Sequence, residues 1–563
     1  MASSLEGIRS WGLGRFEASG TVVDVLNETM FQGTIEVSGG RVVRVKKGGP
    51  ERPFIMPGFV DAHVHIESSL LTPSEYARTV LPHGTVSAVC DPHEIANVLG
   101  VKGVRYMIEE SRGAHLKLYF GAPSCVPATR FETTGAEITF REVKELFKMG
   151  VVKSLAEVMD VPAVLRRDPA IMSKIRVARR FGRPVDGHAP GLRGSRLARY
   201  IRAGISTDHE SLDMEEAAEK LSFGMRIMIR GGSLSKDLDS FLPLAAEHPD
   251  RCMFCSDDLH PDDLLRGHID VMVKQALSLG LDEMRVLRCA CVNPVLHYGL
   301  EVGLIREGDP ADFIIVKNLR DLDMIRTYIN GIAVAEAGKP LMPHRASRKI
   351  NNFAARKKRP SDFKVASMGG LLNAIGVADG TLITRLCRES AETVGGGASS
   401  GPKKDLVKIA VVNRYREAPP VVGFVKNFGI KRGALASSVA HDSHNIVGVG
   451  VTDEELCEAV NLVIEHQGGL SLVFQGERLI LPLPVAGLMT DGEGPETAER
   501  YSRLNRLARE KLGSGLTSPF MTLSFMSLLV IPEIKISDRG LFDVRRQRII
   551  GLFEPVDPML GEA

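Results

Sequence analysis

Residues 56–77 read MPGFVDAHVHIESSLLTPSEYA, and the two histidines at the centre decide how the rest of the chain is read. Gly58-Phe59-Val60-Asp61-Ala62 has the character of a buried strand. Side chains two apart on a strand share a face, so His63 and His65 project together from its carboxyl end. Two imidazoles converging on one spot invite a metal ion. A lone His-X-His is common by chance, however, and gains meaning only from its surroundings.

Those surroundings are a long alternation. Short apolar or β-branched runs predict strands at 58–65, 85–91, 116–122, 151–158, 183–188, 204–209, 225–230 and 251–257. Helix-like stretches lie between them: 72–81, with Thr72 as N-cap and Pro73 in the first turn, 140–150, and 214–224, closed by Gly224. Eight β/α alternations have the size and rhythm of a (β/α)8 barrel, an α/β fold of the TIM type.

Both flanks of this region read differently. Residues 20–56 hold Val-rich strands broken by Asn-Glu and Gly-Gly turns, and residues 307–334 are strand-like again, with a hairpin signal at Asn330-Gly331. The predicted organisation is a small β-sandwich from residues 1–56 and 298–345, a barrel over 57–297, and a linker over 346–361. A further α+β domain follows over 362–563, large enough for its own core. Within it, strands are expected at 408–415 and 445–451, helices at 453–468 and 495–513, and a loop at the Gly/Ser-rich 395–405. The basic stretch 344–360 reads as a solvated linker.

Composition narrows the function. A chain of 563 residues with a net charge of +2 presents no field for nucleic acid or a membrane surface. Its 8 cysteines are scattered, unlike a disulfide scaffold. The N-terminus lacks the apolar core of a signal peptide and no run is long enough to span a bilayer, so a cytoplasmic location is expected.

Chemistry in such a barrel lies at the carboxyl ends of the strands. Strand 1 ends in His63 and His65, strand 4 in Glu157, strand 5 in His188, strand 6 in His209, and strand 8 in Asp257 followed by Asp258. Imidazole and carboxylate without thiolate suit zinc, iron or manganese. Six such ligands exceed one tetrahedral site and suit two ions held close together. Asp257 then has a second task, carrying a proton from the nucleophilic water to the leaving group.

Four further residues are candidates for substrate contacts: Glu67, His93, Asp258 and His260. Glu94 either joins them or simply begins a helix, where a carboxylate suits the dipole. Cys252, Cys255, Cys289 and Cys291 have possible zinc spacing, but cysteine is a common core residue and a core role is expected.

One ordered set of motifs goes further: PGFVDAHVHIESS (57–69), DPHEIANVLG (91–100), GHAPGL (187–192), STDHES (206–211), CSDDLHPDDL (255–264), GDPADFIIV (308–316) and AHDSHN (440–445). Over nearly the whole chain this set resembles the amidohydrolase superfamily and, more narrowly, its adenine deaminases. The resemblance implies hydrolytic deamination of adenine to hypoxanthine and ammonia, a purine-salvage reaction, by a metal-activated hydroxide. It implies two divalent ions per chain, manganese or iron favoured and zinc possible, and a homo-oligomer. It also implies Glu157 as the bridge between the ions, where hydantoinases and dihydroorotases use a carboxylated lysine; Lys153 is the residue that would serve in that alternative, a ring-opening cyclic amidohydrolase. A non-catalytic scaffold on the same fold is the remaining rival. The segment 440–445, with His441 and His444, belongs to the resemblance without an assigned role.

Overall fold

The computed structural model describes residues 14–233 and 238–554. The chain divides into two compact units: Met1–Pro92, Arg105–Ser124 and Thr139–Ser347 form the first, and His93–Val104, Cys125–Ile138 and Arg348–Ala563 the second.

Unit 1 opens with β1 (Phe16–Asp24), β2 (Thr29–Ser38), β3 (Arg41–Lys47) and β4 (Phe54–Pro57). Eight strands follow: β5 (Phe59–Val64), β6 (Thr85–Cys90), β7 (Lys117–Ala122), β8 (Val152–Val158), β9 (Val185–Gly187), β10 (Thr207–Asp208), β11 (Arg226–Arg230) and β12 (Cys252–Cys255). It closes with β13 (Phe313–Val316), β14 (Met324–Ile329), β15 (Ile332–Glu336) and β16 (Lys339–Pro340).

The two flanks meet in one eight-stranded sheet, ordered β16-β15-β14-β13-β4-β1-β2-β3. The join is the antiparallel pair β13 and β4, with Phe313 opposite Pro57. Val22, Ile35, Val37, Ile55 and Phe313 make its buried face. Asn330 (φ 48°) and Gly331 (φ 72°) form the two-residue turn from β14 to β15; both lie in the left-handed region that such a tight hairpin requires.

Each of the eight predicted central strands is present. They form two parallel sheets, β5-β6-β7-β8-β9 and β10-β11-β12. At one seam Ser206 N–H donates to Val185 O at 2.9 Å. At the other, Asp257 N–H donates to His63 O at 3.0 Å and His65 N–H to Asp257 O at 3.2 Å. The strands are covered on both faces, which is why they read as apolar runs rather than alternations. β9, β10 and β12 are each at least three residues shorter than expected. Pro184 has no N–H to give to a ladder, so β9 starts at Val185. Gly204, at φ 118°, ends the helix Gly194–Ala203 and delays β10 to Thr207.

The helix α1 (Pro73–Val80) begins where predicted, with Thr72 in extended backbone and Pro73 at its first position. The Thr72 hydroxyl makes no cap; it accepts a hydrogen bond from Ser347 Oγ at 2.9 Å. The helix α2 (His93–Leu99) follows β6 in sequence but belongs to unit 2.

Unit 2 is built on an eight-stranded sheet of Arg385–Glu389, Leu372–Gly376, Val421–Lys426, Leu406–Val412, Ile446–Gly450, Ala434–Ser437, Gly469–Phe474 and Glu477–Pro482, in spatial order. The helix Asp453–Glu465 covers it, capped by Thr452 and burying Leu456, Val460 and Val463. The expected loop at 395–405 is in part a hairpin: Gly395 (φ 58°) and Gly396 (φ 79°) turn Glu392–Val394 back into Gly397–Ser399. The diglycine makes a tight turn available there, so low complexity did not mean lack of structure. Residues 344–359 have no helix or strand, yet Ala354 N–H donates to Arg414 O at 2.7 Å and Phe353 and Ala355 pack on the unit 2 core. Among the described residues no helix is long and apolar enough to cross a membrane.

Candidate active site

His63 and His65 leave the end of β5 with their Nε2 atoms 3.1 Å apart. The ring of His65 is oriented by the carbonyl of Asp91, 3.1 Å from its Nδ1. A carbonyl only accepts, so the proton sits on Nδ1 and the Nε2 lone pair is presented to the cluster. Asp61, buried in the middle of β5, fixes the neighbourhood from behind. It accepts from the N–H of His63 (3.2 Å) and of Ser256 (3.0 Å), and its Oδ2 lies 3.0 Å from His268 Nε2.

Glu157, near the end of β8, reaches both sides of the site. Its Oε2 lies 3.0 Å from His188 Nδ1 and 3.0 Å from His209 Nε2, and its Oε1 lies 3.6 Å from His65 Nε2. Asp257, after β12, places Oδ1 3.5 Å from His63 Nε2 and 3.3 Å from His65 Nε2. Its Oδ2 accepts from Arg230 Nη1 at 3.0 Å. The rings of His63 and His209 stack with centroids 4.3 Å apart. The six predicted ligands therefore gather in one place, all buried.

The loops carrying these groups are held by buried hydrogen bonds. Tyr200 OH accepts from His188 N–H at 3.2 Å and donates to Val158 O at 2.5 Å. Asp208 accepts from Ala189 N–H at 2.8 Å and from Lys220 Nζ at 2.7 Å. Lys220 is fully buried and also donates to Glu216 at 2.6 Å.

Charge is balanced tightly. Burial pushes the carboxyls of Glu157 and Asp257 up, but the facing groups win: His188 and His209 for Glu157, His63, His65 and Arg230 for Asp257. Both stay well below the usual carboxylate range. Burial also opposes a charged His188, yet the Glu157 carboxylate outweighs it and lifts the imidazole to about 9. His63 is raised against burial by Asp257.

The donor set fits divalent ions. His63, His65 and Asp257 bring donor atoms within 4.8 Å of one another, as do His63, Glu157 and His209. A third such group is His188, His209 and Glu210, and it brings in a residue not foreseen. Arg230 was also missed, although it is the charged residue that ends the apolar run of β11. Glu210, which accepts from Arg230, follows His209 directly.

The other sequence candidates divide. Glu67 lies buried in the turn Ile66–Ser69 that follows His65. His260 Nδ1 lies 2.9 Å from Ser68 O, and Asp258 accepts from the Ser68 hydroxyl, so both attach to the same turn. His93 lies in unit 2, 3.6 Å from Glu94 and 3.5 Å from Asp442. Lys153 lies over the Tyr119 ring, 5.3 Å from its centroid. The sulfurs of Cys252, Cys255, Cys289 and Cys291 are buried against four different backbone carbonyls, as core residues are.

Residues 54–334 match the amidohydrolase family, which sets the class: metal-dependent hydrolases. Residues 381–548 match the adenine deaminase C-terminal domain. Adenine deaminase from Salinibacter ruber is 51% identical over 94% of this chain and 97% of its own length. Adenine deaminases from a Sulfurovum species and from Methanosarcina mazei are 49% and 46% identical, covering 94% and 95% of this chain and 98% and 99% of theirs. The chain belongs to the adenine deaminase family.

Proposed function

We infer that this protein hydrolyses adenine to hypoxanthine and ammonia, with water as the second substrate. The observation that carries the inference is the convergence of four imidazoles and two carboxylates in a chain similar to adenine deaminases over 94% of its length. His63, His65 and Asp257 would hold one divalent ion and His188 and His209 a second, with Glu157 reaching both groups. Mn2+ or Fe2+ is favoured over Zn2+. When bound, such ions make water nucleophilic at neutral pH and polarise the bond under attack.

The protein's own groups supply the rest. Asp257 is held ionised, so its Oδ1 accepts the proton of the attacking water and returns it to the exocyclic amine, which departs as ammonia. Arg230 occupies Oδ2 and leaves Oδ1 for this work. Glu67, Asp258 and His260, gathered at the 66–69 turn, supply polar contacts to the purine. Paired polar groups of that kind reject analogues lacking the partner, because the site's own groups are then left unmatched.

The eight central strands are read as a closed (β/α)8 barrel over 57–297, flanked by a sandwich from 1–56 and 298–345. A linker over 346–361 and an α+β domain over 362–563 complete the chain. A cytoplasmic homo-oligomer, dimeric or larger, with no nucleic-acid or membrane partner, is the expected working form. A ring-opening reaction needs Lys153 as a carboxylated bridge, and the position of Lys153 over Tyr119 argues against it. The test is to incubate the Mn2+-loaded full chain with adenine and, separately, with hydantoin. Equal yields of hypoxanthine and ammonia from adenine alone are expected; hydantoin turnover without adenine turnover would replace this reading.

A further inference from the structure

Unit 2 contains a second cluster of histidines and carboxylates that the chemistry above does not use. His93 and Glu94 begin α2; His441, Asp442 and His444 come from the segment 440–445. All five are at most 4% exposed. The two oxygens of Glu94 pair separately, Oε1 with His441 Nδ1 and Oε2 with His444 Nε2. His93 Nε2 lies 3.6 Å from Glu94 Oε1 and 3.5 Å from Asp442 Oδ1.

The tautomer of His444 separates its role from the others. Its Nδ1 accepts from Ala440 N–H at 3.2 Å, so a neutral ring carries its proton on Nε2 and donates it to Glu94 Oε2. His444 is therefore a holder of Glu94 and not a ligand. On the other side, Asp442 Oδ2 has no hydrogen-bond partner among the described residues, in a residue that is 2% exposed. The buried Arg414 gives its hydrogens to His444 O, Ala486 O and Asn351. Glu132 adds a further buried acid; burial and then the charge of Asp442 push its carboxyl well up. A buried carboxylate with an unmatched oxygen requires a donor or a cation.

We propose that His93 Nε2, Glu94 Oε1 and a carboxylate oxygen of Asp442, with His441 beside them, form a third divalent-cation site. Donor atoms of His93, Glu94 and Asp442 already lie within 4.8 Å of one another. Mixed imidazole and carboxylate donors select Mn2+, Fe2+ or Zn2+ over Ca2+ or Mg2+. The ion ties the start of α2 to the segment 440–445, both in unit 2. None of its ligands is among the six residues assigned to deamination.

Metal counting tests this without an activity assay. Full-length protein purified from Mn2+-supplemented cells, free of chelator, is expected to carry three Mn2+ per chain by mass spectrometry of the metal. Asp442→Asn and His93→Gln should each carry two, and the His63→Ala/His188→Ala double variant should keep one. Two ions in the wild type, unchanged in Asp442→Asn, would overturn the proposal. Should the unit 2 variants not fold, anomalous diffraction at the manganese edge from wild-type crystals decides. A peak bounded by His93, Glu94 and Asp442 supports the site, and no peak there beside filled strand-end positions removes it. A failure of the deaminase reading would instead appear as missing hypoxanthine and leave this count untouched.

Discussion

Asp257 stands at the centre of the residue-scale account. Its backbone lies at φ 55°, a left-handed conformation that costs a non-glycine residue about 1–3 kcal/mol. Backbone hydrogen bonds to His63 and His65 hold it there and aim its side chain at their rings. Asp257→Asn keeps the shape and removes the proton acceptor, so kcat should fall by about 10²–10⁴-fold or more with an unchanged circular dichroism spectrum. Arg230→Gln should lower kcat by about 10–100-fold, the usual effect of losing a partner that orients a ligand. Adenine KM and the number of bound ions should change little. Glu157→Gln should act mainly by lowering metal occupancy. The six candidate ligands were legible because each ends a recognisable strand. Arg230 and Glu210 were not, because a charge at a strand end is ordinary until its partner across the site is known.

At the scale of elements, β9 and β10 carry His188 and His209 on very short ladders, so their spacing is sensitive. A Cβ at Gly187 would sit 2.5 Å from Thr207 O and 2.7 Å from Ile205 Cγ2, with Tyr200 OH at 3.0 Å. Gly187→Ala must therefore spread the two strands, at a cost of about 1–3 kcal/mol. A lower melting temperature and weaker Mn2+ binding, measured by calorimetry, are expected together. The central strands were readable because burial on both faces leaves a continuous apolar signature. The assignment of residues 93–104 and 125–138 to unit 2 was not, because it depends on partners more than two hundred residues away, such as the contact of Glu94 with His441. The hairpin around Gly395-Gly396 was hidden for a local reason: the same diglycine serves a loop or a tight turn.

For the whole molecule, stability should respond to pH through Lys535. It is fully buried, its Nζ donates to Leu382 O at 2.9 Å, and burial pulls its pKa from 10.5 to about 7. The folded state thus sheds a proton that the unfolded chain keeps up to 10.5, and between pH 7 and 10.5 stability rises with pH. At pH 7 and below the burial penalty is present in full, on the order of a few kcal/mol. Lys535→Met should raise the melting temperature near neutrality, and its advantage should shrink as pH approaches 10. Chelation should abolish deamination, and added Mn2+ should restore it. The most direct measurement is an anomalous difference map at the manganese edge from crystals of Mn2+-loaded enzyme. Two peaks are expected among His63, His65, Glu157, His188, His209 and Asp257, each touching side chains from more than one strand end. A map of active, loaded enzyme with no peak among those six side chains would contradict the account.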